Sequence, residues 1–334
     1  MNSTENVSSV SSFQSFEIVR VNFILGFSVG IFFNSILIFL ILKRSPTTLR
    51  PFKPVVLIAA IADVQLIVLT GFTQVDRRTI NSVTVLVLNG PANLLPEIGQ
   101  WIAYALLTLS ISSALLVLLF ENAFRYWFLK TRNSLTTNQL VGSILIILFL
   151  SFGQLPVFLL YYFQSAERRR DYNTWWPEHE VVIGIDVKND VLIRLLGLYR
   201  AFIFVGVFVL AILIGALSVW EMKKNVSSMS NKTKDLLNQY TNMLVTRVIV
   251  FAVTNAVPLI ITQFKIFLAV NTPISDLFIA ILLTWMPVLN TLITLIFIRP
   301  YRVFLFRSLR RGWTALTFQS FNETTVIRVQ TVNS

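Results

Sequence analysis

The chain has 334 residues, of which 55% are hydrophobic and only 13% are charged, and its formal net charge is +12. Soluble domains carry about a quarter charged residues, so this composition predicts a membrane protein. Because the chain has no cysteine and one histidine, it excludes disulfides, thiolate catalysis and a metal site built from cysteine and histidine. We expect no catalytic activity, no bound metal and no cofactor.

The first 18 residues are polar and serine-rich, and they predict a tail that precedes the membrane domain. Asn2 and Asn6 each begin a triplet that matches the N-glycosylation pattern, and they are candidate glycosylation sites if this end is extracellular. Such triplets also occur by chance. The apolar run that starts near Ile18 has no basic leader and no cleavage site, so it predicts a retained span rather than a signal peptide.

Apolar runs then recur at the length of about 20 residues that a helix needs to cross the hydrocarbon of a membrane. The predicted spans cover residues 19–42, 54–73, 98–122, 139–163, 193–220, 243–268 and 274–298. An odd number of spans places the two chain ends on opposite sides. Residues 83–88 are apolar but too few to cross, and they predict a hairpin or a membrane-skimming segment.

Basic residues gather in the connections on one side of the predicted spans. They are Lys43, Arg44, Arg50, Lys53, Arg125, Lys130, Arg132, Lys223, Lys224, Lys232, Lys234, Arg247, Arg299, Arg302, Arg307, Arg310, Arg311 and Arg328. Cytoplasmic loops carry the excess of lysine and arginine, so this side should be cytoplasmic and the N-terminus extracellular. Residues 299–313 alternate basic and apolar and predict a helix on the inner leaflet. The charge therefore favours lipid and an acidic protein over nucleic acid as partners.

Polar side chains inside the spans predict a buried cluster. An ionised carboxylate at Asp63, in the middle of the second span, is costly unless it faces the bundle interior. Asn34 and Asn290 lie at similar depth in the first and seventh spans. Two interpretations stay open: these groups only join helices by hydrogen bonds, or they form a conformational or ion-sensitive switch.

Two prolines predict kinks in consecutive spans. Pro258 interrupts the sixth span and Pro287 the seventh, and each removes one backbone hydrogen bond. Paired kinks suit a bundle that moves between two arrangements.

Charged and aromatic residues meet where the third span ends. Glu121 and Arg125 are four residues apart and share a helix face, and Tyr126 follows directly. This corner is either a basic anchor in an interfacial aromatic belt or an ionic lock that opens to accept a partner.

Several of these stretches resemble the seven-helix G-protein-coupled receptors and, among them, the nematode chemoreceptors of serpentine receptor class delta. They are Lys43 to Pro51, Ala62-Asp63, Gly90-Pro91 with Gly99, Phe124-Arg125-Tyr126, and Pro287 to Asn290 continuing to Tyr301-Arg302. The resemblance extends from the first span to about Phe306. It implies an all-α bundle of seven transmembrane helices, residues 19–298, followed by a short amphipathic helix and tail, residues 299–334.

The resemblance also implies a receptor that binds an unknown small molecule from outside and signals to a heterotrimeric G protein. The predicted ligand contacts, at the outer thirds of the spans, are Trp101, Tyr104, Tyr199, Gln263 and Trp285. The predicted coupling residues are Glu121, Arg125 and Tyr126, with Glu121 serving for the acid that relatives place where this chain has Phe124. The expected location is the plasma membrane, with a sensory cilium as one candidate.

Two other functions stay open. A ligand-gated channel or transporter could use Asp63, Asn34 and Asn290 as an ion site at the midplane. A receptor-like membrane protein that does not signal is the second alternative.

Overall fold

Apolar helices make up most of the chain. The computed structural model describes residues 4–45, 49–80, 83–156, 158–160, 162–163, 181–186, 191–225, 231–268 and 273–307. The helices are α1 (Thr4–Arg44), α2 (Lys53–Thr73), α3 (Glu97–Thr131), α4 (Thr137–Phe152), α5 (Val191–Asn225), α6 (Asn231–Phe251), α7 (Val257–Leu268), α8 (Pro273–Phe297) and α9 (299–307). A π-helical turn, Ala252–Ala256, joins α6 to α7.

Within the described ranges, six helices are long and apolar enough to cross a membrane. They are Ile18–Arg44, Lys53–Thr73, Glu97–Thr131, Gly197–Lys224, Lys234–Thr262 and Phe278–Phe297. The sixth predicted span therefore runs through α6, the π-helical turn and into α7, and its helix begins at Asn231 rather than at residue 243.

The fourth predicted span, residues 139–163, is not one continuous helix. Helix α4 ends at Phe152, and the described residues from 155 to 163 are helical again. Gly153 donates its backbone N–H to the carbonyl of Phe149 at 3.0 Å and closes the helix. Pro156 lacks the donor that would let the helix continue through this point.

Helix α1 extends beyond the predicted first span into the N-terminal segment. It runs from Thr4 to Arg44, and neither glycine nor proline lies in the chain before Gly26. Asn2 lies outside the described residues, and only the backbone of Asn6, in α1, is described.

A three-stranded antiparallel sheet lies at one end of the bundle, which we call the sheet end. Strands β1 (Val75–Ile80) and β2 (Val83–Leu88) form a hairpin, and β2 also pairs with β3 (Val181–Asp186). Of the two alternatives predicted for residues 83–88, the structure shows the hairpin, with these residues as its second strand. Leu86 and Leu88 of β2 pack with Tyr104 of α3 and with Phe158, so the sheet is anchored on the bundle.

The largest apolar cluster lies at the opposite, basic end, where α1 ends and α2 begins. The Phe52 ring contacts the rings of Phe124, Phe128 and Tyr240 at centroid distances of 5.6, 4.8 and 4.6 Å. Phe124, the residue before Arg125, is therefore a core residue. The Ser45 and Tyr301 hydroxyls lie 2.8 Å apart and tie α9 to the end of α1.

Helix α1 approaches α8 closely at Gly26, where a Cβ atom would overlap Cγ2 of Thr284. Membrane helices use small residues for such close packing. We expect Gly26→Val to lower the free energy of unfolding by about 1–3 kcal/mol, as overpacking does. Thermal unfolding in detergent measures the loss.

Gly142→Val in α4 is the matched control, because no described atom lies within 4 Å of a Cβ placed there. Equal destabilisation by the two valines would show that α1 and α8 do not need this contact.

Candidate functional site

A buried ion cluster joins helices of the bundle around Arg247 of α6. Its Nη1 donates to both carboxylate oxygens of Glu121 on α3, at 2.9 Å to Oε1 and 2.7 Å to Oε2. Its Nη2 lies 3.9 Å from Oδ2 of Asp63 on α2. All three residues are buried, with exposed fractions of 2%, 1% and 4% respectively. Two carboxylates therefore face one guanidinium away from bulk solvent.

Helix α8 completes the cluster at its polar residues. Nη2 of Arg247 also donates to Oγ1 of Thr294 at 2.7 Å, and to the carbonyl of Asn290 at 3.4 Å. The Asn290 amide donates from Nδ2 to Oδ1 of Asp63 at 3.1 Å. Buried charges are retained where partners satisfy them, and removal of one partner is costly. One guanidinium thus holds α2, α3, α6 and α8 together.

A cavity of about 150 Å³ lies between this cluster and the sheet end. The polar residues at its wall are Thr70, Tyr104, Thr108, Asn255 and Thr262. The apolar ones are Phe23, Leu66, Val75, Leu107, Ile111, Phe204, Pro258, Leu259, Ile279, Ala280 and Leu283. The wall thus combines many apolar side chains with few polar groups, which is typical of small-molecule pockets.

A family model described as the serpentine type 7TM GPCR chemoreceptor Srd matches residues 19–307. The chain belongs to this family. The crystal structure of squid rhodopsin has the same fold, with a TM-score of 0.62 at 11% identity, over 89% of this chain and 86% of that chain. Comparison with curated protein sequences gives no match. The predicted family and seven-helix receptor fold are confirmed, and the Srd chain is a multi-pass membrane protein.

In this Srd chain, the polar residues predicted at similar depth lie in two connected groups. Asp63 and Asn290 are in direct contact. Asn34 instead accepts a hydrogen bond at Oδ1 from Oγ1 of Thr291, at 2.8 Å, and donates from Nδ2 to the carbonyl of Gly30. Asn34 therefore joins α1 to α8 one residue beyond Asn290.

Arg247 corrects the predicted placement of the basic residues. We expected it among the cytoplasmic cations, but it lies buried between the helices. The sequence did contain a signal for this burial, since Arg247 is a single arginine inside the apolar run that begins at Met243. An ionisable residue within a span commonly faces the bundle interior and marks a site.

Glu121 and Arg125, which their spacing places on one helix face, have different partners, and Glu121 binds Arg247. Arg125 donates from Nη2 to Oγ1 of Thr241 on α6 and lies 3.8 Å from the sulfur of Met222 on α5. It is fully buried, whereas Tyr126 beside it is half-buried. Glu121 and Arg125 thus connect α3 to neighbouring helices at two separate levels.

Of the predicted ligand contacts, Tyr104 lines the cavity. The Trp101 ring contacts the Tyr162 ring in a tilted arrangement, with centroids 5.1 Å apart, and Trp285 donates from Nε1 to Oδ1 of Asn22 at 2.9 Å. Tyr199 is 56% exposed on α5, and the side chain of Gln263 lies outside the described residues. None of these other residues is among the described cavity lining.

The sixth span links the cavity to the ion cluster. Arg247 lies in α6, Asn255 in the π-helical turn, and Pro258 at the start of α7. Asn255 and Pro258 line the cavity, while Arg247 holds the cluster. Single-turn π-helical bulges occur frequently at functional sites. A change in the bend of the helix at this turn would therefore move both the cavity wall and the ion cluster.

Proposed function

We propose that this Srd receptor binds a small molecule in the cavity near the sheet end and signals to a heterotrimeric G protein at the basic end. The continuity of the sixth span, from Pro258 through Asn255 to Arg247, carries this proposal. A ligand shifts the equilibrium between two arrangements by its difference in affinity for them. A ligand that favours another bend at the π-helical turn would thereby loosen the Arg247 cluster.

The N-terminus would face the extracellular side, and the basic end the cytoplasm. Arg302 and Arg307 of α9 are exposed while Tyr301 is buried, as expected for a helix that lies on the lipid of the inner leaflet. In this orientation Asn2 and Asn6 would be accessible for glycosylation. The plasma membrane, including that of a sensory cilium, is the proposed location.

The ion cluster would act as the lock of the inactive arrangement. Glu121 and Arg247 tie α3 to α6, and Arg125 binds Thr241 of α6 nearer the basic end. Movement of α6 away from α3 would break both contacts. It would then present Arg125 and Tyr126 to the G protein.

The lock interpretation predicts raised basal activity when Glu121 loses its charge. Glu121→Gln weakens the bonds to Arg247, and hydrogen bonds to charged groups are worth about 1.5–3 kcal/mol. If even part of this free energy favours the inactive arrangement in the wild type, its loss shifts the equilibrium towards the active one. Ligand-independent nucleotide exchange should then rise several-fold. The measurement is guanine-nucleotide exchange on added G protein with receptor in nanodiscs.

Glu97→Gln is the matched control, because Glu97 lies on the same helix but is exposed near the sheet end. We expect its basal exchange to equal that of the wild type. Unchanged exchange in Glu121→Gln, at equal receptor amount, would leave Glu121 as a purely structural residue.

The receptor function itself is tested by a small-molecule screen in cells with a second-messenger readout. Active molecules are then added to purified receptor with purified G protein, and nucleotide exchange is followed. Ligand-gated current in a bilayer that contains only this protein would favour the channel or transporter alternative. Saturable binding without exchange on any G-protein class would favour a receptor that does not signal.

A further inference from the structure

In the side-chain amide of Asn255, Nδ2 makes a hydrogen bond within the described structure and Oδ1 makes none. Oγ1 of Thr254 donates its proton to the carbonyl of Val250 at 2.8 Å, so this oxygen can only accept from Asn255. Nδ2 of Asn255 donates to it at 3.0 Å. This network determines which way the amide is turned, and Oδ1 is the atom of the amide that has no partner among the described residues.

Oδ1 of Asn255 has no hydrogen-bond partner among the described residues, although Asn255 is only 3% exposed. A buried acceptor without a partner is costly, and native structures contain few. Because Asn255 also lines the cavity, a molecule bound there can supply the missing donor. We propose that the cavity takes a small uncharged organic molecule that donates one hydrogen bond to Oδ1 of Asn255.

The uncharged character follows from the wall. No described residue that lines the cavity carries a formal charge. An ion would lose its hydration there without gaining a counter-charge. The hydroxyls of Thr70, Tyr104 and Thr262 can donate or accept, so they do not select between donors and acceptors. Oδ1 of Asn255 only accepts, so a hydrogen bond to it requires a donor, which alcohols, phenols and similar neutral molecules have and which ethers and carboxylates lack.

The size of the cavity limits the ligand further. Drug-sized molecules occupy pockets of about 300–1,000 Å³, whereas this cavity has a volume of about 150 Å³. A molecule of one ring or a short chain is thus the expected class. Its role as an activating ligand rests on the proposed function, because Asn255 lies in the π-helical turn between Pro258 and Arg247.

Three probes that share a phenyl ring with one attached carbon test the selection: benzyl alcohol, benzyl methyl ether and benzoate. Each is titrated into purified full-length receptor in nanodiscs, and the thermal unfolding midpoint is followed as a function of probe concentration. We expect benzyl alcohol to half-saturate at a concentration about fivefold lower than the ether, which corresponds to the ~1 kcal/mol of one neutral hydrogen bond. Benzoate should give no saturable shift.

Variants then assign the preference to Asn255. Asn255→Leu keeps the volume and removes the acceptor, so alcohol and ether should bind equally. Asn242→Leu is the matched control on the same span, because Asn242 is exposed and lies outside the cavity, and it should keep the fivefold preference. Ala280→Phe fills the cavity and should remove the shifts of both probes while Asn255 stays intact, which keeps the test informative if Asn255→Leu does not fold.

Equal binding of alcohol and ether to the wild type would overturn the proposal, as would a preference that survives Asn255→Leu. A saturable shift with benzoate alone, or no saturable shift with any probe, would overturn it too. None of these measurements involves a G protein. Binding as expected without nucleotide exchange on any G-protein class would therefore count against the proposed signalling and leave the Asn255 site standing.

Discussion

Arg247→Met is expected to lower the free energy of unfolding by about 3–5 kcal/mol, the cost typical of removing one partner from a buried ion pair. The substitution leaves the carboxylates of Asp63 and Glu121 facing each other without their shared cation. It also removes the donor to Thr294 that connects α6 to α8. Methionine keeps most of the apolar stem, so the loss reports the charge rather than a cavity.

The loss is measured by unfolding in mixed micelles and by the fraction of receptor that reaches the cell surface. Adding Glu121→Gln to Arg247→Met removes one of the two stranded charges, so the double variant should recover more than half of the loss. Such non-additivity identifies groups that act together. Further destabilisation by the second substitution would contradict the shared cluster.

Arg302→Met is the matched control for Arg247→Met. Arg302 is exposed on α9 and donates to the carbonyl of Ile296 at 3.2 Å. Surface substitutions change stability by about 0.5 kcal/mol or less, and this variant should stay within that range. A control as unstable as Arg247→Met would show that any loss of arginine is harmful, buried or not.

The helices could be predicted from sequence because the signals for them are local. Each apolar run of sufficient length appeared as a helix, apart from the fourth, where Gly153 and Pro156 already marked the break. The pairing of β2 with β3 could not be predicted, since it joins residues 83–87 to residues 181–186, which are separated along the chain by α3, α4 and the residues that follow them. The chain has no cysteine, so these backbone hydrogen bonds, rather than a disulfide, join the connection between α2 and α3 to the segment that contains β3.

The sequence predicts how deep the polar side chains of the site lie in the bundle, but not which neighbouring helix each of them faces. Position along a helix placed Asp63 and Asn290 at one level, and they do meet. The rotation of each helix about its own axis depends on packing, which spacing along the chain does not reveal. Glu121 and Arg125 share a face by spacing, yet one points to Arg247 and the other to Thr241. For the same reason Tyr199 lies exposed on α5 rather than at the cavity.

Arg125 is expected to be essential for signalling and dispensable for ligand binding. Its guanidinium contacts Thr241 of α6 and Met222 of α5. In the proposed mechanism it would become available to a partner when α6 moves. Arg125→Met should lower ligand-stimulated nucleotide exchange at least about tenfold, since a hydrogen bond to a charged group is worth ~1.5–3 kcal/mol. Methionine is the suitable replacement, because alanine would leave a large cavity at a fully buried position.

Surface delivery and the benzyl alcohol shift should stay as in the wild type, because Arg125 does not line the cavity. Lys130→Met is the control on the same helix, at an exposed position one turn further along, and it should keep more than half of the exchange rate. Normal exchange in Arg125→Met would remove Arg125 from the coupling mechanism. It would leave the break between Glu121 and Arg247 as the event that opens the basic end to a G protein.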